Sequence, residues 1–224
     1  MNYYPNIAID GPAGAGKSTV AKLVAKKLGF IYIDTGAMYR AVTLQALRDG
    51  VDLHDPVALG RLAAVTPVNL QNGEDDRLRI LLNGEDVSEE IRSPEVSRSV
   101  SLVAMVPAVR RRMVELQKAM AGRGGVVMEG RDIGTVVLPD APVKIFLTAS
   151  TPVRAKRRRE ELAAKGSIIS QDQMEEEIIR RDGIDSTRKT DPLTQAPDAE
   201  IIDSTFFSVE QVVNMIIDRV SAVR

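Results

Sequence analysis

Residues 7–28 constrain this chain more than any other stretch. Ile7-Ala8-Ile9 is a short apolar run of strand type. Gly11, Pro12, Ala13, Gly14, Ala15, Gly16, Lys17, Ser18 and Thr19 follow it and fit the pattern G-x-x-x-x-G-K-[ST]. Val20, Leu23, Val24, Lys27 and Leu28 then recur at helical spacing. A strand, a glycine loop and a helix in that order cradle phosphate for a physical reason. The glycines let the backbone turn tightly and bring its N–H groups against phosphate oxygens. The helix starting near Lys17 adds the positive end of its dipole. Lys17 has the reach for the β- and γ-phosphates of a nucleotide, and the Ser18 hydroxyl suits Mg²⁺. The motif does not say what receives or loses the phosphate.

Further along, Phe30-Ile31-Tyr32-Ile33 reads as a second strand ending at Asp34-Thr35-Gly36, with a helix from Ala37 to about Asp49. Ligands in open α/β sheets sit beyond the carboxyl ends of strands, so Thr35 and Arg40 point toward the crevice of the glycine loop. Arg40 reads equally as a solvated helix charge. His54, the only histidine, precedes the helix cap Asp55-Pro56 and reads as a surface loop residue. From Thr66 to Val87 the pattern alternates, with turn signals at Asn72-Gly73 and Asn83-Gly84. This predicts a small antiparallel insert, either a flap or a grip on a second substrate.

Pro94 to Val106 predicts a short helix and Pro107 to Ala121 a longer one. The latter carries Arg110, Arg111 and Arg112, of which at most one or two face a site. Val126 to Glu129 suits a buried parallel strand, with Gly130-Arg131-Asp132 at its carboxyl end. Arg131 and Asp132 there either touch a ligand or form a buried pair bracing the sheet. Val143 to Thr148 is the next strand. A helix from Ser150-Thr151-Pro152 to Lys165 puts Arg154, Arg157 and Arg158 on one face. Ser170 and Gln173 form a capping box for a helix through Arg181, followed by Asp185 and Arg188. This charged region fits either solvated helices or a lid over phosphates. Ile201-Ile202-Asp203 is a last strand, and a capped helix with an apolar stripe at Val212, Val213, Ile216, Ile217 and Val220 closes the domain.

Composition excludes several classes. The 224 residues carry a formal net charge of −1, which argues against a nucleic-acid binder. With no cysteine there is no disulfide and no thiolate metal site, as fits a cytoplasmic protein. Met1 to Pro5 has no secretory character, and no apolar run is long enough to span a membrane. No N-K-x-D guanine-reading segment is present. A small kinase passing a phosphoryl group from ATP to an anionic acceptor suits these features. Lys17, Arg40, Arg131, Arg157, Arg181 and Arg188 are available to neutralise the two anions. A phosphate acceptor needs no catalytic base, in keeping with the lack of a suitable histidine. A kinase for UMP or shikimate, or a nucleotide-hydrolysing switch protein, remains as an alternative.

Five stretches together resemble the bacterial cytidylate kinases: I-D-G-P-A-G-A-G-K-S-T (9–19), D-T-G-A-M-Y-R (34–40), L-N-G-E-D-V-S-E-E-I-R (82–92), G-R-D-I-G-T-V-V-L-P-D-A (130–141) and R-R-D-G-I-D-S-T-R (180–188). The resemblance implies an α/β P-loop kinase fold with a five-stranded parallel sheet flanked by helices. It implies a core of residues 1–62, 103–150 and 184–224, a monophosphate-binding insert at 63–102 and a helical lid at 151–183. It implies ATP and CMP or dCMP as substrates, Mg²⁺ as cofactor, no nucleic-acid or membrane partner, and a monomer. Ser101, Arg110 and Asp132 would contact cytosine. Arg40 and Arg131 would hold the monophosphate, and Thr35, Arg181, Asp185 and Arg188 sugar and phosphate. Arg157 and Arg158 would reach ATP from the lid. Thr35 replaces the serine of some members and keeps the hydroxyl. Glu129 stands where aspartate is frequent, with a longer arm toward the metal.

Overall fold

The computed structural model describes residues 4–72, 78–164, 166 and 168–223. Along the chain run β1 (Ile7–Asp10), α1 (Lys17–Leu28), β2 (Ile31–Asp34), α2 (Thr35–Arg48) and α3 (Pro56–Val65). Next come β3 (Val68–Asn72), β4 (Leu78–Leu82), β5 (Glu85–Asp86), α4 (Pro94–Ala104) and α5 (Pro107–Ala121). The last are β6 (Val126–Gly130), β7 (Val143–Thr148), α6 (Thr151–Ala163), α7 (Gln171–Thr187), β8 (Glu200–Asp203) and α8 (Val209–Ala222). A five-stranded parallel sheet has the order β2-β6-β1-β7-β8, and a three-stranded sheet has the order β3-β4-β5. This is the α/β fold expected from the sequence. Among the described residues no helix is long and apolar enough to cross a membrane.

By packing the chain divides into two compact units, residues 1–30 with 124–224, and residues 31–123. In the first, β1 and β6 are buried at every position, as strands covered on both faces must be. Ile9 pairs with Glu129 on one side and with Ile145 on the other. The carboxyl ends of β1 and β6 therefore lie side by side. Helix α1 ends at Gly29, whose left-handed backbone (φ 68°) lets its N–H reach the carbonyls of Ala25 and Lys26. Helix α8 opens on the expected Ser208–Gln211 capping box and buries Val212, Val213, Ile216 and Val220. It packs on α1 and β7.

In the second unit, β3 and β4 pair antiparallel with Leu70 opposite Ile80 and Val68 opposite Leu82. Asn83 (φ 52°) and Gly84 (φ 86°) turn β4 into β5, as two consecutive left-handed residues do in a tight hairpin. Val68, Ile80 and Leu82 join Met38, Leu59, Ile91, Val103 and Met113 in one core. Gly73 and Lys165 lie outside the described residues, so the expected Asn72-Gly73 turn and the helix end at Lys165 do too.

One expectation is corrected. The helix predicted to end at Arg181 continues to Thr187 through Gly183. Glycine costs a helix about 1 kcal/mol relative to alanine. The turns beyond Gly183 carry the ion pairs of Asp185 with Arg131 and Arg188.

Gly11 has a backbone that only glycine tolerates. Its φ is 147°, and a Cβ there would stand 1.9 Å from the Leu147 carbonyl oxygen on β7. Forcing that contact costs roughly 1–3 kcal/mol in overpacking, or more with backbone strain. Gly11→Ala is thus expected to lower the thermal midpoint by roughly 5–10 °C in calorimetry. A midpoint within a degree of the parent would contradict the geometry.

Candidate active site

The loop after β1 turns back into α1 through two left-handed glycines, Gly14 (φ 74°) and Gly16 (φ 94°). Gly16 makes no side-chain cap, which leaves the first N–H groups of α1 open to an anion. Lys17 is only 5 % exposed, and its Nζ donates to the Pro12 carbonyl at 2.8 Å, so it arches over the loop. Burial, followed by the positive charge of Arg131, pushes its pKa down to about 7; Glu129 and Asp10 work in the opposite direction. Ser18 and Thr19 are exposed, and the Ser18 hydroxyl donates to Glu129 Oε1 at the end of β6.

Asp10 was not singled out from the sequence. Its two carboxylate oxygens accept from the N–H groups of Ile133 (2.8 Å) and Gly134 (2.7 Å). This fixes the loop after β6. Burial raises its pKa to about 6 despite these two bonds.

Beside the ends of these strands sits a buried network of guanidinium and carboxylate groups. Arg131 Nε donates to Asp185 Oδ2 at 2.8 Å. Arg188 lies 3.8 Å from Asp185 Oδ1 and 3.5 Å from Asp132 Oδ1. Asp132 and Asp185 are 5 % and 4 % exposed. Burial works against ionisation of Asp185, yet Arg131, Arg181 and Arg188 together hold it below the usual carboxylate range. Arg181, Asp185 and Arg188 stand four and three residues apart along α7 and its cap, which puts them on one face. Arg131, Asp132, Arg181, Asp185 and Arg188 are therefore brought together.

The arginines of α6 separate. Arg157 donates to the Ala15 carbonyl at 3.4 Å and to Ser204 Oγ at 3.0 Å, so it lies against the glycine loop. Arg158 instead pairs with Glu161 one turn on, at 2.7 Å.

In the unit of residues 31–123, Thr35 is buried as the first residue of α2, whose N-cap Asp34 accepts from the Ala37 N–H at 2.9 Å. Arg40 Nη1 lies 3.8 Å from Asp34, out of water and with no hydrogen-bond partner among the described residues. Such an orphaned donor suits an anionic ligand. Of the three consecutive arginines one turns inward. Arg110 is 1 % exposed, its guanidinium 5.5 Å from the Tyr39 ring centre, and donates to the Ala104 carbonyl. Arg111 is exposed, and Arg112 faces Glu115 at 3.7 Å. Ser101 is buried on α4.

Sequence reasoning missed Arg154, Asp182 and Asp10 as parts of the site. Arg154 shares the stripe of Arg157, and Asp182 lies inside R-R-D-G-I-D-S-T-R. Their partners lie 141 and 169 residues away, at Ala13. No local pattern carries that information.

Comparison with known proteins agrees with these features. The cytidylate kinase family model matches residues 7–222. A cytidylate kinase from Pelotomaculum thermopropionicum is 69 % identical over 224 residues, 100 % of this chain and 99 % of that one. Another from Geobacillus kaustophilus is 54 % identical over 216 residues, covering 96 % of each. Among solved structures, an uncharacterized protein from Eubacterium ventriosum aligns over 97 % of this chain and 99 % of its own, with a TM-score of 0.54 at 14 % identity, a likeness of fold alone. The family match spans both packing units and includes the glycine loop, Arg131–Asp132 and the arginine face of α7, so the chain belongs to the cytidylate kinase family.

Proposed function

We propose that the protein transfers the terminal phosphoryl group of ATP to CMP or dCMP, giving ADP and CDP or dCDP. The observation that carries this reading is the union, in one packing unit, of a lysine-crowned phosphate loop and a buried cluster of arginines. Phosphoryl transfer is largely a matter of positioning and charge neutralisation, and these groups supply both. The backbone of Gly11 to Thr19 cradles the phosphates of ATP, and Lys17 follows the charge of the moving phosphoryl. Arg157 steadies ATP beside the loop, and Arg158 is assigned to the same nucleotide. Arg131, Arg181 and Arg188 hold the acceptor phosphate, a role that the family resemblance also assigns to Arg40. Its oxygen is already ionised and attacks without a base.

Asp132, Ser101 and Arg110 read the cytosine. A carboxylate accepts from the cytosine amino group, whereas uracil presents an acceptor there and leaves Asp132 unmatched. Thr35 and Asp185 hold the sugar side.

The oxygen donors Ser18 and Glu129, already in contact with each other, fit a hard divalent ion arriving with the nucleotide. Among the described residues no group of three or more acidic, histidine or cysteine side chains forms a protein cage for it. Ser18 would be its ligand, and Mg²⁺ would supply charge neutralisation at the phosphates of the nucleotide. In division of labour, residues 63–102 are the monophosphate-binding insert, 151–183 the lid, and the remainder the core. The protein works as a cytoplasmic monomer on small-molecule substrates.

The test is ADP release from ATP and Mg²⁺ over a panel of monophosphates. CMP and dCMP are expected to drive release, UMP far more slowly, and AMP negligibly. Release that is equally fast without acceptor would indicate a hydrolysing switch. Asp132→Ala is expected to lower kcat/KM for CMP at least about tenfold, with ATP affinity near that of the parent. Equal loss for both nucleotides would give Asp132 a structural role instead.

A further inference from the structure

The glycine loop is gripped from outside by an ion pair that the reaction chemistry above does not use. Arg154, in the first turn of α6, is 7 % exposed. Its Nη1 donates to the Ala13 carbonyl and its Nε to the Ala149 carbonyl, both at 2.9 Å. Its Nη2 donates to Thr151 Oγ1 at 3.1 Å, and Nη1 also bonds Asp182 Oδ2. The other oxygen of Asp182 accepts from the Ala13 N–H at 3.1 Å. Both backbone groups of Ala13 are thus held by one arginine and one aspartate that also hold each other. The loop has no slack at this point. A Cβ on the next residue, Gly14, would come within 3.0 Å of the Arg154 carbonyl oxygen.

We infer that Arg154 and Asp182 are a positioning pair that sets the height of the phosphate loop against α6 and α7. Asp182 directly follows Arg181 and is three residues before Asp185 on α7. The helix that carries the acceptor-side cluster is therefore the helix pinned to the donor loop. A hydrogen-bonded carboxylate–guanidinium fork has fixed geometry, so it transmits position as well as charge. Displacement of a reacting group by about 1 Å can cost about a hundredfold in rate. Neither residue touches a reacting atom in this role; both act through the loop backbone. The kinetic part of this inference rests on the CMP kinase reading.

The experiment compares the parent with Asp182→Asn, Arg154→Lys and the double variant, at a temperature well below every thermal midpoint. Asparagine cannot accept from the Ala13 N–H and from Arg154 with its nitrogen end, so one of the two bonds is lost. Lysine keeps the charge but cannot serve four acceptors along fixed directions. Each single variant is expected to lower kcat at least tenfold while KM for ATP and CMP moves less than about threefold. The double variant should fall no further than the worse single, as for groups acting as one unit. Hydrogen exchange of the peptide spanning residues 11–19, without nucleotide, should quicken in all three.

Unchanged kcat in Asp182→Asn, or additive losses, would overturn the inference, as would unchanged loop exchange. The exchange measurement needs no substrate. A parent that failed to phosphorylate CMP would sink the functional reading and leave the clamp to be judged on exchange alone.

Discussion

Lys17→Ala is expected to lower kcat by at least about a thousandfold in a protein that still folds, because it removes the ammonium that arches over the phosphate loop. Stability should move little or in the opposite direction. Without nucleotide the ammonium sits out of water, near Arg131 and Arg181, and its pKa falls to about 7 from an ordinary 10.5. A lysine depressed in the folded state binds fewer protons there than in the unfolded chain between those two values. Its burden on stability is therefore full below about pH 7 and lifts as pH rises toward 10.5. Replacement by alanine forfeits a hydrogen bond to Pro12 worth about 1 kcal/mol and relieves that burden. The thermal midpoint should drop by no more than about 3 °C at pH 9 and compare more favourably with the parent at pH 6. Binding of a polyphosphate restores the full charge, so the parent should take up protons on binding ATP at pH 8, read by calorimetry in two buffers, and Lys17→Ala should not. Turnover retained in the variant would remove Lys17 from the phosphate site.

Asp185→Asn carries the largest expected loss of stability. The carboxylate is buried among Arg131 at 2.8 Å, Arg188 at 3.8 Å and the charge of Arg181. An amide of equal size removes the carboxylate charge that Arg131, Arg188 and Arg181 all face. Breaking a buried pair by removing one partner costs about 3–5 kcal/mol. In a chain of this length that is a fall of roughly 10 °C in midpoint at pH 7. The group is held below its ordinary value of 3.8, so its contribution is fully present above that pH and fades as pH falls further. The gap between parent and variant should accordingly persist from pH 8 to pH 5 and narrow only below about pH 4. A gap under about 2 °C at neutral pH would mean that water reaches the cluster and screens it.

Much of the fold was legible because its signals are local. The phosphate loop, both capping boxes, the hairpin turn at Asn83-Gly84 and the strand Val143–Thr148 each fit in a window of a few residues. The extension of α7 to Thr187 was not, because Gly183 is a poor helix former and the ion pair of Asp185 in the final turns reaches Arg131, 54 residues away in sequence. Of the candidate site, motif spacing gave the loop from Gly11 to Thr19, whereas the roles of the arginines and Asp132 came only with the resemblance to the cytidylate kinases. The grip of Arg154 and Asp182 on Ala13, and of Asp10 on Ile133 and Gly134, depends on pairs over a hundred residues apart in sequence. Neighbouring arginines at positions 157 and 158 were indistinguishable until one met Ser204 and the other Glu161.

The place of β1 has a consequence for how the molecule opens. It is paired on both sides, to β6 and to β7, and is shielded along its whole length. Local openings draw on segments with few buried contacts, so this strand should be among the last to release its amide protons. The phosphate loop springs directly from it. Partial unravelling elsewhere, under heat or a protease, would then leave the ATP-side cradle standing while the rest of the chain comes and goes.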